Sequence, residues 1–261
     1  MVAVSFVALL LGMMVWTGLF FFVVTRGALI VRALSARPGG PASHVYPIYS
    51  NMRLIRLVDF QPVISAILLF QYARLVTRIV DGLKATDLRG RKVLITSCAF
   101  GNVIPRVVEA AVEAGAREVR IVDIVENELL HAKTKLGAWE ERVEYETGDA
   151  TAMSQPEGFA DANIMFFLLH ELPHEQKVLA LAEAGRTLSP GGKLYLAEFG
   201  RPAPWLLRLL SWTYFKVFEP LGLALWKTDD PVACLERMGG FSVERMTCMH
   251  GNFQVIVATK R

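Results

Sequence analysis

At 261 residues and a net charge of +3, the chain has room for one α/β domain and a modest appendage. A hydrophobic share of 53% and a mean hydropathy of +0.36 are too apolar for an ordinary soluble enzyme, and 20% charged residues are too many for a multi-span transporter. The apolar excess must therefore be local.

It lies in residues 1–25, which contain no Asp, Glu, Lys, Arg or His. About 20 apolar residues suffice for a helix to cross the hydrocarbon core, so the segment is expected to be a transmembrane anchor. A cleaved signal peptide would need a basic start, a shorter apolar core and a small-residue cleavage site, and none is present. Arg26, Arg32 and Arg37 follow the span while no basic residue precedes it. The positive-inside rule then expects a single-pass protein of the inner (cytoplasmic) membrane with the rest of the chain in the cytoplasm. Basic residues exceed acidic ones by six up to Lys84, leaving −3 for the remainder. That distribution favours attraction to anionic lipid and argues against a nucleic-acid partner.

Residues 26–44 read as a basic linker, because the stretch 36–43 (ARPGGPAS) cannot continue a helix. Residues 45–87 read as a helical cap or membrane-associated segment, with a helix from about Pro62 that carries Arg74 and Arg78. From Leu88 to Arg261 short apolar runs alternate with helical periods, the pattern of βαβ units around a parallel sheet. Strands are predicted over 92–97, 118–122, 143–147, 162–167 and 193–197, with helices over 103–115, 126–135 and 174–188. Residues 189–192 (SPGG) read as a tight turn. Residues 204–226 carry Trp205, Trp212, Tyr214, Phe215, Phe218 and Trp226 together with Arg208, Lys216 and Glu219, and suit an amphipathic lid or a membrane-contacting helix. Strands over 241–247 and 253–259 close the chain as an antiparallel hairpin. The fold class is α/β, a Rossmann-like seven-stranded and mostly parallel sheet.

In such a sheet ligands bind beyond the carboxyl ends of the strands, where the strand order reverses. The loop after the first strand runs Ser97-Cys98-Ala99-Phe100-Gly101-Asn102; Gly101 permits close backbone approach and Asn102 can cap the next helix. Asp123, ending the second strand, can accept from both hydroxyls of a ribose, and Asp149, after the third, can receive an exocyclic amine; either can instead cap a helix. His170 and Glu171 follow the very apolar fourth strand, where the histidine can act as general base or bind substrate and the glutamate can orient it. Glu198, Tyr46 and Tyr49 are further candidates. Cys98, Cys234 and Cys248 have the spacing of neither a zinc site nor a disulfide framework and read as small buried apolar residues, so no metal is expected.

The stretches FFLLHE (166–171) and EAGRTLSPGGK (183–193) resemble the middle of the class I S-adenosylmethionine-dependent methyltransferases that modify ubiquinone and menaquinone. With EPLGLALW (219–226) and the ending GNFQVIVAT (251–259), the chain looks more narrowly like the rhodoquinone-biosynthesis methyltransferase-like proteins. The resemblance implies S-adenosylmethionine as cofactor and a lipid-soluble, long-tailed quinone or similar prenylated ring as substrate. In the rhodoquinone branch it implies replacement of a ring methoxy group by an amine. It also implies cofactor contacts from Ser97, Gly101, Asp123 and Asp149, and a ring facing Tyr46 or Tyr49 with His170 and Glu171. The acidic-Gly-x-Gly-x-Gly loop of working methyltransferases is replaced by Ser97, Cys98 and Ala99, so a catalytically silent scaffold at the membrane stands as the alternative. A nicotinamide-dependent reductase lacks its glycine fingerprint here.

Overall fold

The computed structural model describes residues 51–217 and 219–261, together with Gly12, Val15, Trp16, Gly18 and Tyr49. The expected anchor (apart from those four helical residues), the linker and Tyr46 lie outside the described residues. Among the described residues no single helix is long and apolar enough to cross a membrane. Residues His44–Arg261 form one compact unit.

Its centre is a seven-stranded sheet of β1 (Lys92–Thr96), β2 (Glu118–Asp123), β3 (Val143–Thr147), β4 (Ala160–Phe166), β5 (Leu188–Phe199), β6 (Phe241–Cys248) and β7 (Phe253–Lys260). The strand order is β3-β2-β1-β4-β5-β7-β6. β1 to β5 run parallel, and β7 is antiparallel to both β5 and β6. Val93 and Ile95 enter the large core, whereas Leu94 joins Val122, Met153 and Ala160 in a second cluster, the alternation expected of a strand covered on both faces. The sequence places SPGG in a turn, but β5 already begins at Leu188. The ladder jumps from Ala160 opposite Leu188 to Ala162 opposite Lys193, and Gly191 at φ +78° absorbs the extra residues as an irregularity within the strand.

Ahead of the sheet come α1 (Met52–Val58), α2 (Gln61–Ile67) and α3 (Tyr72–Lys84). The single helix expected from Pro62 is bent by 97° between α2 and α3. Leu69 and Phe70 take the left-handed conformation at the break. Tyr72, Leu75, Val76, Ile79 and Leu83, at helical spacing, bury α3 in the same core as the sheet, so it belongs to the domain and not to a separate cap before residue 88. The connecting helices are α4 (Val103–Glu113), α5 (Glu126–Leu136), α6 (His174–Thr187), α7 (Trp205–Val217) and α8 (Pro231–Met238). Lys177 of α6 is buried with its Nζ donating to the Leu221 carbonyl at 2.9 Å and lying 3.2 Å from Asp229, which pins the one-turn helices of Pro220–Trp226 against α6.

What positions the site is the loop between β1 and α4. Ser97 adopts φ +75° and Gly101 φ +80°, so the chain reverses twice in a few residues. Gly101 is required there, because a Cβ would run into the Tyr72 ring. Its N–H donates to Asp59 Oδ1 at 2.7 Å, and Lys135 Nζ on α5 approaches the same oxygen at 2.8 Å and the Gly101 carbonyl at 3.0 Å. His131 Nε2 lies 3.0 Å from Asp59 Oδ2. Tyr72 Oη completes the clamp, donating to the Phe100 carbonyl at 3.0 Å and accepting from Val103 N–H at 2.7 Å. Asn102 does not cap α4 through its side chain; its N–H donates to Gln61 Oε1 at 3.1 Å.

Removing Asp59 strands a nearly buried lysine and a backbone donor, so Asp59→Ala is expected to lower unfolding free energy by about 3 kcal/mol in urea titration. Ser97→Gly removes a left-handed non-glycine residue and is expected to raise it by about 1 kcal/mol.

Candidate active site

The strand order reverses between β1 and β4, and the connections leaving their carboxyl ends diverge to open a cavity. It holds about 560 Å³ of free space counting its open mouth. Ser97 and Cys98 form one wall after β1, and Asp123, Ile124 and Val125 a second after β2. Gly148, Asp149 and Ala150 contribute from the end of β3, and Leu168, Glu171 and Leu172 from beyond β4. Tyr49 and Glu128 complete the lining. Gly148 keeps the backbone close to β2, since a Cβ there would meet Val122 Cγ1 at 2.9 Å.

Asp123 is the best anchored of these groups. Its Oδ2 accepts from Cys98 N–H at 2.5 Å and its Oδ1 from Val125 N–H at 2.7 Å, so the carboxylate ties the β1 loop to the end of β2. Burial outweighs these bonds and lifts its pKa to about 6. Asp149 does not cap a helix. Its Oδ1 accepts from both the N–H and the hydroxyl of Thr151 at 2.8 Å, closing the turn after β3.

Beyond β4 the polar pairs differ from the expected ones. Phe167 is left-handed at φ +55°, and a single 3-10 turn, Leu169–Glu171, follows. His170 does not line the cavity and is not oriented by Glu171. Its Nδ1 lies 3.1 Å from Glu198 Oε1, and its backbone N–H donates to Glu198 Oε2 at 3.2 Å. Burial alone would lower the His170 pKa, but the adjacent Glu198 carboxylate raises it to about 9, so the imidazolium persists at neutral pH. A charged histidine cannot accept a proton; the pair instead braces the end of β4 against β5. Glu171 Oε1 accepts from Tyr49 Oη at 2.5 Å, and Tyr49 stacks on Phe100 with centroids 6.0 Å apart. Burial raises the Glu171 pKa to about 8, and burial followed by the Glu171 charge pushes the Tyr49 phenol well above its usual range. The tyrosine therefore stays a donor and Glu171 is the basic member of the pair.

Ser97, Asp123, Asp149, Tyr49 and Glu171 thus meet at one cavity, while Gly101 and His170 act behind its walls. His174 pairs with Asp229 at 2.6 Å and keeps an exposed side chain outside the cavity lining. Sequence reading passed over Cys98 as a wall residue and overlooked Glu128. Cys98 stands on the wall beside Ser97, and its thiol is held protonated by burial. Glu128 had a visible signal: it shares the buried face of α5 with Ala132 and Leu136 at helical spacing, a position that ordinarily takes an apolar residue. Among the described residues no three His, Cys, Asp or Glu side chains could hold a metal ion.

Residues 93–192 match a family model described as a methyltransferase domain. The chain is 28% identical over 148 residues to the ubiquinone/menaquinone biosynthesis C-methyltransferase of Methylobacterium nodulans, covering 55% of this chain and 56% of that one. It is 35% identical over 107 residues to the demethylmenaquinone methyltransferase of Deinococcus radiodurans, covering 40% and 44%. Its matches thus span about half the length of these curated relatives. The N-methyltransferase NodS of Bradyrhizobium japonicum shares the fold at a TM-score of 0.54 and 14% identity, over 73% of this chain and 96% of that one. In its strand order and over its matched domain, the chain is similar to the class I S-adenosylmethionine-dependent methyltransferases, and its curated relatives include the ubiquinone/menaquinone biosynthesis C-methyltransferases.

Proposed function

We propose that the protein is a membrane-associated S-adenosylmethionine-dependent enzyme that modifies the ring of a lipid-soluble quinone. The observation that carries this reading is the convergence of Asp123, Asp149, Glu171 and Tyr49 on one cavity at the strand-order switch point. The residues present fit the cofactor. The backbone N–H groups of Cys98 and Val125 hold the Asp123 carboxylate fixed at the cavity, where an acidic side chain after the second strand can accept from ribose hydroxyls. Glu128 Oε1 is a buried acceptor without a partner on the same wall.

When bound, S-adenosylmethionine supplies an electrophilic methyl group. The chain's task is to make a ring carbon nucleophilic, and the group suited to it is Glu171. Its raised basicity and its hydrogen bond from Tyr49 equip it to take the proton of a ring hydroxyl. Leu168 and Leu172 beside it give the ring an apolar wall. Methyl transfer is the reaction the matched relatives favour, and replacement of a methoxy group by an amine is the narrower alternative from the resemblance.

A quinone with a polyisoprenoid tail stays in the bilayer, because hydrating the tail costs roughly 25 cal/mol per Å². The protein must reach the membrane, and α7 has the composition to do so. Trp205 is 74% and Leu210 59% exposed, alongside exposed Leu209 and Trp212, and Arg208 and Lys216 lie on the same helix. Such a face is suited to the headgroup region of an anionic bilayer.

Calorimetric titration of the detergent-solubilised chain with S-adenosylmethionine is expected to give micromolar binding that Asp123→Ala abolishes. Absence of heat with wild type would leave the scaffold reading, which the Ser97-Cys98-Ala99 loop motivates. Glu171→Gln is expected to keep cofactor affinity and to lose about 10²-fold or more in turnover on an extracted quinone pool. Because the base must be ionised, wild-type turnover should climb with pH until about 8 and level above it, and the variant should lack that rise. Product mass distinguishes a gained methylene unit from an amine-for-methoxy exchange. Replacing Trp205 and Leu210 together by serine should sharply reduce co-sedimentation with anionic vesicles without altering cofactor binding; unchanged sedimentation would exclude α7 as the contact.

A further inference from the structure

Among the described residues the cavity is lined by four carboxyl side chains, Asp123, Glu128, Asp149 and Glu171, and by no lysine, arginine or histidine. Three of these four have local duties. Asp123 and Asp149 accept backbone N–H groups, and Glu171 accepts from Tyr49. Glu128 has none: it is 3% exposed, and its Oε1 is buried without a hydrogen-bond partner. An acceptor left in that state is destabilising, and the cavity it lines is where a donor must come from. Among the described residues no three side chains could hold a metal ion, and a lining of four carboxyls without a basic side chain favours a donor that carries positive charge.

Charge distinguishes the two forms of the cofactor. S-adenosylmethionine carries a sulfonium, an ammonium and a carboxylate, a net positive charge. On transfer the methyl leaves without the bonding pair, sulfur keeps that pair and becomes a neutral thioether, and the acceptor carbon's proton departs. S-adenosylhomocysteine therefore has no net charge. Resting on the cofactor reading above, we propose that Glu128, with the neighbouring carboxyls, makes the cavity selective for the sulfonium form and releases the neutral thioether product.

The surroundings of Glu128 set how this operates. Among the described residues it interacts electrostatically with Asp123 from β2, Glu171 from the turn after β4, Asp59 at the end of α1, Tyr49 and the Cys98 thiol, and with the cation of Lys135 on its own helix, which is engaged by Asp59. Burial, then the Asp123 charge, raises the Glu128 pKa to about 8. A cation entering the cavity lowers it again, so sulfonium binding expels a proton and thioether binding does not.

The test is titration calorimetry of the detergent-solubilised full chain at pH 7 with S-adenosylmethionine and S-adenosylhomocysteine, in two buffers of different ionisation heat. Wild type should prefer the sulfonium by about tenfold or more, the effect of one pKa unit of differential stabilisation. Proton release should accompany the sulfonium alone. Glu128→Gln, nearly isosteric, should bring the two affinities within about threefold and remove most of the release. Equal wild-type affinities without proton release would overturn the proposal, as would a variant that keeps the preference. If the variant does not fold, the wild-type ratio and proton count decide. Failure of both ligands to bind would instead overturn the cofactor reading on which the proposal rests.

Discussion

Everything at the candidate site hangs on two carboxylates, Asp123 buried and Asp59 partly buried, that grip one loop from opposite sides. A loop that must reverse direction at the end of β1 ordinarily relies on several glycines, whose missing Cβ lets the backbone turn and a ligand approach. This chain has serine, cysteine and alanine in the first three positions and glycine only at 101. Asp123 holds the near end through Cys98 N–H, and Asp59 holds the far end through Gly101 N–H. Conformational freedom given up in the sequence is thus replaced by fixed hydrogen bonds to charged groups, about twice as strong as neutral ones. Ser97 at φ +75° shows that the replacement is not strain-free.

The same carboxylates organise the electrostatics. Asp59 and Glu198 are each matched by a cation, Lys135 in one case and His170 in the other, and His131 Nε2 also lies against Asp59. These pairs lie behind the cavity wall and cost little because the charges are satisfied. Facing the cavity the balance is different. Asp123, Glu128 and Glu171 have their pKa values pushed upward chiefly by burial, and none has a salt-bridging cation within the lining. Separating titratable groups in this way, neutralised pairs for structure and perturbed groups for chemistry, is the usual mark of a site that acts on a ligand. It also reassigns the pair after β4: His170 holds the backbone, and Glu171 meets the cavity.

The exposed face of α7 poses a second physical problem. A helix carrying Trp205, Leu209, Leu210 and Trp212 on its solvent side is costly for a protein that never leaves water. Next in the chain, the Pro220–Trp226 segment packs inward, with Leu225 buried and Phe215 set against Gly222. One stretch of sequence therefore offers an apolar surface outward and closes the core inward.

Much of the fold was legible in the sequence because strand and helix periods are local. Apolar alternation located six of the seven strands to within about two residues, and the closing hairpin followed from the same pattern. The strand-end rule likewise brought Ser97, Asp123, Asp149 and Glu171 to the cavity. Two local readings failed for one reason, since pairing partners and turn conformations depend on contacts distant in sequence. Residues 189–192 entered β5 because Ala160 lies beside Leu188, and the helix from Pro62 broke at Leu69 and Phe70. Partner choice was beyond the sequence altogether. Nothing local says that His170 pairs with Glu198, that Asp59 reaches Gly101 across 42 positions, or that Tyr49 meets Glu171 across 122. The sequence by itself determined the layered α/β plan, because periodic burial of apolar side chains is written residue by residue. Only the tertiary structure decided which carboxylates are neutralised and which face the ligand, because that depends on which side chains the folded sheet brings within a few ångströms.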